Sequence, residues 1–225
     1  MRIIRKNNEK LLIESFIREF KKISKNKELK KKRLSFVLTG GSSPVNLYKK
    51  LSKVNLNWKN IDFFWGDERY VSNKSIHSNY CLANKTLFKY INIKNKQIFP
   101  VNTAKPSAKK SSLDYSNKIK RYFGKKKISF DIFLLGMGND GHIASIFPND
   151  LQKKSNKITR SVLRNDFERI TINLKKINNS KFIFLWLNTK KKVKNFFKIR
   201  NNNNKQIPVN NIKRKNIVLF LLSKF

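Results

Sequence analysis

Apolar residues return at three- and four-residue intervals at Leu12, Phe16, Phe20 and Ile23, and this stripe predicts an amphipathic helix over Leu11 to Ile23. Elsewhere the apolar positions gather into short runs. Ser35 to Thr39, Ile61 to Trp65, Phe130 to Leu135, Arg169 to Leu174, Phe182 to Leu187 and Asn216 to Leu222 read as strands, several of them continuously apolar as in a parallel sheet covered on both faces. Helical patterns lie between them, near Pro44 to Ser52, Asn79 to Tyr90, Leu113 to Phe123 and Lys191 to Ile199. Strands that alternate with helices predict an α/β fold, doubly wound, with a mostly parallel sheet and helices on both faces, a Rossmann-like architecture. No internal repeat or Pro-rich linker divides the chain, so residues 1–225 are expected to form a single domain.

Glycine placement sharpens this picture. Six of the seven glycines (Gly40, Gly41, Gly66, Gly136, Gly138, Gly141) fall in three short segments, each at the end of an apolar run. Glycine is kept where a backbone turns sharply or approaches a ligand, and ligands of doubly wound sheets bind at the carboxyl ends of the strands. The three segments are therefore the expected site.

Composition mostly removes function classes. Cys81 is the lone cysteine and only His77 and His142 accompany it, so a catalytic metal such as zinc, which usually needs three or four His, Cys or carboxylate ligands, is not expected. No Gly-x-Ser-x-Gly elbow announces a serine hydrolase. The longest apolar runs fall far short of the roughly 20 residues of a membrane span, and the polar, basic start shows no signal-peptide core, so a cytoplasmic protein without a membrane partner is expected. The formal charge of +39 admits a basic nucleic-acid-binding protein, but the lysines are scattered and no nucleic-acid motif accompanies them. A compositional drift and a solvated surface are the preferred reading, with no specific nucleic-acid partner. The positive field would still draw in a phosphorylated small molecule.

Each glycine segment carries chemistry beside a plainer alternative. Thr39-Gly40-Gly41-Ser42-Ser43-Pro44 joins a strand to a helix that Pro44 can open, where backbone N–H groups, hydroxyls and the helix dipole converge on an anion; a plain capped turn is the alternative. Phe63-Phe64-Trp65-Gly66-Asp67-Glu68-Arg69, followed by Ser78-Asn79-Tyr80, sets two of the chain's 13 acids beside an arginine at a strand end, either in a polar cleft or as a surface ion pair. Phe130 to Pro148 empties a strand into Gly136-Met137-Gly138-Asn139-Asp140-Gly141-His142. That arrangement suits a histidine base held by a carboxylate, or a structural histidine.

Together the segments, from about Ser35 to Leu187, resemble the glucosamine-6-phosphate isomerase/6-phosphogluconolactonase family, marked by a Gly-Gly-Ser-Thr-Pro-like loop, Asp-Glu-Arg with a following Ser-Asn-Tyr, and Gly-Met-Gly-x-Asp-Gly-His. Arg69, and Ser145-Ile146-Phe147-Pro148 where amino-sugar deaminases tend to carry Phe-Asn-Glu-Pro, resemble the lactonase branch; a deaminase or isomerase is the alternative on the same fold. The resemblance implies hydrolysis of 6-phosphogluconolactone, with His142 activating water, Asp140 orienting it, Arg69 stabilising negative charge and Asp67 in the catalytic set. It likewise implies that Gly40, Gly41, Ser42, Ser43, Asn79 and Arg169 bind the sugar phosphate with a lysine after the Phe182 strand, preferably Lys191, from which Lys190 and Lys192 are not separable. No cofactor is implied, and a monomer or weak homodimer is expected.

Overall fold

The computed structural model describes residues 1–151 and 155–223. Among them, seven strands form one sheet: β1 (Arg2–Lys6), β2 (Leu34–Leu38), β3 (Ile61–Trp65), β5 (Ile98–Phe99), β6 (Ile132–Leu135), β9 (Phe182–Leu187) and β10 (Ile217–Leu222). Their order is β1-β10-β9-β6-β2-β3-β5 and every pairing is parallel. The central strands are buried along their whole length, which is why they read as apolar runs, interrupted only by Ser35 and Asp62, rather than as alternation.

Alternate strand residues feed two cores. On one face Phe36, Leu38 and Phe63 meet α1 (Glu9–Leu29), α2 (Val45–Leu51) and α3 (Asn79–Thr86) through Leu12, Phe16, Phe20, Leu47, Leu51 and Ala83. On the other, Val37, Phe64 and Phe133 meet α4 (Ala108–Phe123) and α6 (Lys190–Asn201) through Tyr115, Ile119, Val193 and Phe196. The expected doubly wound arrangement is thus observed. A one-turn helix, α5 (Leu174–Ile177), completes the α-helices of the described residues, which short 3-10 turns supplement.

Several boundaries move for identifiable reasons. Asn8 caps α1 by accepting the Leu11 N–H at 2.9 Å, and the helix runs on past Ile23 through a lysine-rich stretch where the apolar stripe has faded. Pro44 stands at the cap of α2 rather than inside it, its carbonyl accepting the Tyr48 N–H at 2.8 Å. The basic strand β1 was hidden by its exposure at the sheet edge, where charge is favoured.

One strand belongs elsewhere than the parallel sheet. The segment predicted at Arg169 to Leu174 forms β8 (Arg169–Ile172), the middle strand of a small antiparallel sheet between β4 (Asp67–Arg69) and β7 (Thr159–Val162). Its apolar residues Ile170 and Ile172 pack on the second core from this added layer.

Strand order dictates where a ligand can sit. The chain enters the sheet's centre at β2, fills one side with β3 and β5, then crosses to β6 on the other. The neighbours β2 and β6 are therefore the switch point, and loops leaving their carboxyl ends part to leave a crevice. Those loops are the first and third glycine segments.

Candidate active site

The loop after β2 is held from three sides. Buried Tyr48 accepts the Thr39 N–H at 3.0 Å and donates to the Thr39 carbonyl at 2.7 Å, while the Ser43 carbonyl accepts from Trp186 Nε1 at 3.0 Å and from Asn188 Nδ2 at 3.3 Å. Gly40 is pressed against Asn79: a Cβ there would lie 1.8 Å from Asn79 Oδ1. No side chain could be added without evicting Asn79, which is fixed by donating to the Asp67 carbonyl at 2.9 Å.

In the second segment, β4 pairs with β8 so that Asp67 opposes Thr171, Glu68 opposes Ile170 and Arg69 opposes Arg169. Alternation along a strand separates the three charged residues. Asp67 and Arg69 face the crevice together with Arg169, whereas Glu68 turns the other way and is buried. Burial pushes the Glu68 carboxyl up to about 7, against the backbone N–H groups of Asn79, Tyr80 and Arg69 that favour its charge. A surface ion pair between Arg69 and its acidic neighbours does not form. Arg69 Nη1 instead donates to the His77 carbonyl at 2.8 Å, and Arg169 Nη2 to Asp166. The Nε atoms of both arginines are buried without a hydrogen-bond partner among the described residues. Two guanidiniums directly opposed across a ribbon repel each other, and an anion between them would relieve that repulsion.

The third segment places the histidine. His142 Nδ1 lies 2.6 Å from Asp140 Oδ1, which also accepts the His142 backbone N–H at 3.1 Å. Burial opposes the charge of Asp140, but these bonds and the adjacent imidazole outweigh it and hold the carboxyl below the ordinary carboxylate range. An ionised acceptor at Nδ1 fixes the tautomer with its proton there and leaves Nε2 to accept a proton. Gly138 makes room for the ring, since a Cβ would stand 2.1 Å from Cε1 and Nδ1. Phe147 lies against the imidazole at 4.6 Å between centroids and also lies within 5.7 Å of the Arg169 guanidinium. Beyond the histidine the chain turns through Ala144, whose φ of 48° is unusual for a residue with a side chain. That turn delivers Ser145, whose hydroxyl donates to Asp67 Oδ2 at 2.7 Å and whose N–H donates to Thr171 Oγ1 at 3.2 Å.

These pieces enclose one polar cleft of about 200 Å³, the size of a small molecule. Of the residues expected from sequence, Gly40, Gly41, Ser42, Ser43, Asp67, Arg69, Asn79, His142 and Arg169 line it. Asp140 stands behind His142, outside the lining. Lys191 is the correction: it is exposed, and Lys192 lines the cleft instead, its Nζ donating to Ser43 Oγ. Thr189 caps α6 by accepting the Lys192 N–H at 3.2 Å, which sets the helical phase, and successive helix residues point about 100° apart. Burial lowers the affinity of Lys192 for its proton. The sequence reading also missed Gly138 as the floor under the ring, although its glycine was in view, and Asn188, which ties the Ser43 carbonyl to Glu9 (Nδ2 to Oε1, 2.8 Å). Among the described residues, no three His, Cys, Asp or Glu side chains gather as metal ligands.

The family model described as glucosamine-6-phosphate isomerases/6-phosphogluconolactonase matches residues 7–220. The curated 6-phosphogluconolactonase of Thermotoga maritima is 33% identical over 165 residues, covering 72% of this chain and 73% of the relative. The crystal structure of a 6-phosphogluconolactonase from T. maritima superposes with a TM-score of 0.86 at 25% identity, over 99% of both chains. A monomeric glucosamine-6-phosphate deaminase superposes almost as well, with a TM-score of 0.84 at 21% identity over 98% of this chain and 97% of its own. The fold alone does not separate these two chemistries.

Proposed function

The chain belongs to the glucosamine-6-phosphate isomerase/6-phosphogluconolactonase family, and from that premise we propose that it hydrolyses 6-phospho-D-glucono-1,5-lactone to 6-phosphogluconate, a step of the oxidative pentose phosphate pathway. The observation that carries this reading is the Asp140-held imidazole of His142 facing a cleft that also holds Arg69, Arg169 and Lys192. An anionic, neutral-ringed substrate matches a site with cations, one base and no gathered metal ligands among the described residues.

In the proposed reaction, His142 Nε2 takes a proton from water as the water oxygen bonds to C1 of the lactone. Negative charge moves onto the carbonyl oxygen, where the Arg69 guanidinium stabilises it. Collapse breaks the bond from C1 to the ring oxygen, and the imidazolium returns its proton to that oxygen. Asp140 keeps the ring oriented and offsets its transient charge. Asp67, fixed by Ser145, positions a sugar hydroxyl through its remaining oxygen. Arg169 and Lys192 hold the phosphate with the loop from Gly40 to Ser43, and Asn79 keeps that loop against β4. No cofactor enters the scheme.

The whole chain is taken as one catalytic domain, acting as a monomer or weak homodimer in the cytoplasm on a small sugar phosphate. No described helix is long and apolar enough to cross a membrane. The test is turnover of freshly prepared 6-phosphogluconolactone, with spontaneous hydrolysis subtracted, by wild type and His142→Ala. A loss of about 10² to 10⁴ in the folded variant is expected of a general base, and release of ammonia from glucosamine 6-phosphate would instead support the deaminase alternative.

A further inference from the structure

Resting on that reading of the cleft, we propose that Glu68 is a positioning residue for the reaction: its buried carboxylate clamps both ends of the segment from Arg69 to Tyr80 and so fixes Arg69 and Asn79 in the cleft.

Four donors converge on this one group. Glu68 Oε1 accepts the N–H of Arg69 at 2.8 Å and of Asn79 at 2.7 Å, while Oε2 accepts the N–H of Tyr80 at 2.8 Å and the Ser78 hydroxyl at 3.1 Å. One donor comes from the strand end, one from Ser78 at the cap of α3 and two from the helix's first turn, so the carboxylate closes a loop whose middle, Ser72 to Lys74, is exposed. Both closing points are cleft residues. Arg69 leaves the clamp to reach the His77 carbonyl, and Asn79 leaves it to lie on Gly40 and bond the Asp67 carbonyl. Glu68 itself is 1% exposed and does not line the cleft, so it touches no substrate and acts only through these neighbours.

The placement also explains the order of the tripeptide. On an extended strand, residues flanking a back-facing position face forward, so one acid must turn inward if Asp67 and Arg69 are to share the cleft. A carboxylate buried there is tolerated because bonds from backbone N–H groups and a hydroxyl replace its hydration. An amide in its place keeps one acceptor oxygen. The NH₂ group then faces either the Arg69 and Asn79 donors or the Tyr80 donor, so at least one backbone N–H is left unpaired in either orientation.

The experiment compares wild type with E68Q and, as a harsher variant, E68A. For E68Q, kcat on the phosphorylated lactone should fall by about tenfold or more with KM changed by less than about threefold, the pattern of a displaced charge stabiliser. Amide hydrogen exchange across Arg69 to Tyr80 should quicken by about tenfold or more while β2, β3 and β6 stay protected. Faster exchange in this segment with unchanged kcat would make Glu68 merely structural, and exchange rising equally through the core strands would also overturn the proposal. If E68A does not fold, E68Q carries the same comparison. Absence of turnover in the wild type sinks the lactonase reading, whereas normal wild-type turnover with an unaffected E68Q sinks only the clamp.

Discussion

Gly138→Ala offers a way to move the proposed base without changing its chemistry. The added Cβ would lie 2.1 Å from Cε1 and Nδ1 of His142, so the ring must retreat by about 1.3 Å to reach an ordinary contact of 3.4 Å. Gly138 is not among the residues with positive φ, so the backbone accepts alanine, and the imidazole, with a side chain 29% exposed, has solvent to swing into. The loss of stability should stay below about 1 kcal/mol. Catalysis should suffer far more, because a misplacement of about 1 Å in a reacting group costs roughly 10²-fold, or about 2.7 kcal/mol of transition-state stabilisation. The retreat also stretches the 2.6 Å bond to Asp140 that fixes the tautomer. We therefore expect kcat/KM to fall by about 10² to 10³ in an assay of freshly made lactone, spontaneous hydrolysis subtracted, with thermal unfolding near that of the wild type. The variant carrying Gly138→Ala and His142→Ala together should be no slower than His142→Ala alone, since both changes act on one group. Wild-type turnover in Gly138→Ala, or a further hundredfold loss in the combined variant, would refute the placement of His142 as the base.

Arg169→Ala and Lys192→Ala should each reduce the preference for phosphorylated over unphosphorylated gluconolactone by roughly 10- to 100-fold, as expected of charge-assisted bonds contributing about 1.5 to 3 kcal/mol. Lys191→Ala should leave that ratio unchanged; equal losses on both lactones would reassign Arg169 to the carbonyl. Chelation with EDTA should leave turnover intact, and a loss restored by a divalent ion would discard the metal-free scheme. Asp131→Asn should cost about 3 kcal/mol in denaturant unfolding at pH 7, because Oδ1 pairs with Lys27 at 2.9 Å and Lys181 at 2.8 Å while Oδ2 accepts from Ser35. Burial opposes the Asp131 charge, yet these partners hold its carboxyl below its ordinary value, so the stabilisation is present above the unfolded-state value of about 3.9 and drains as pH falls below it. The gap between wild type and variant should therefore narrow toward pH 3, and a gap indifferent to pH would contradict the assignment.

What could be read from sequence follows what burial does to a strand. β9 is apolar throughout and β3 apolar but for Asp62 because helices cover both sides, and their limits were visible to the residue. The antiparallel layer was not visible as such. β4 and β7 are three and four residues long and polar, too short for alternation to stand out, and β8 looks like any other apolar strand until its partners are known. The site divides in the same way. Asp140 and His142 are two residues apart on one glycine-framed turn, so their pairing is local and legible. The roles of Asp67 and Glu68 depend on which side of a ribbon each faces, and adjacent letters do not record that. The lysine at the cleft depended on helical phase, set by the capping bond of Thr189 rather than by the lysines themselves.

The ribbon of β4 and β8 makes catalysis hostage to a folding decision. Strand side chains change sides with every residue, so sliding β8 by a single position would bring Ile170 opposite Arg69 and turn Arg169 away. The same slip would withdraw Thr171 from Ser145 and leave Asp67 without its anchored neighbour. Two backbone bonds just beyond the paired residues hold the alignment, Tyr70 N–H to the Glu168 carbonyl at 2.7 Å and Ile172 N–H to the Gly66 carbonyl at 2.9 Å. Residues 163 to 167 connect β7 to β8 outside that bracket, so this connection can change its sequence without disturbing the alignment, whereas an inserted or deleted residue between Gly66 and Tyr70 would shift Asp67 and Arg69 against Arg169 at once.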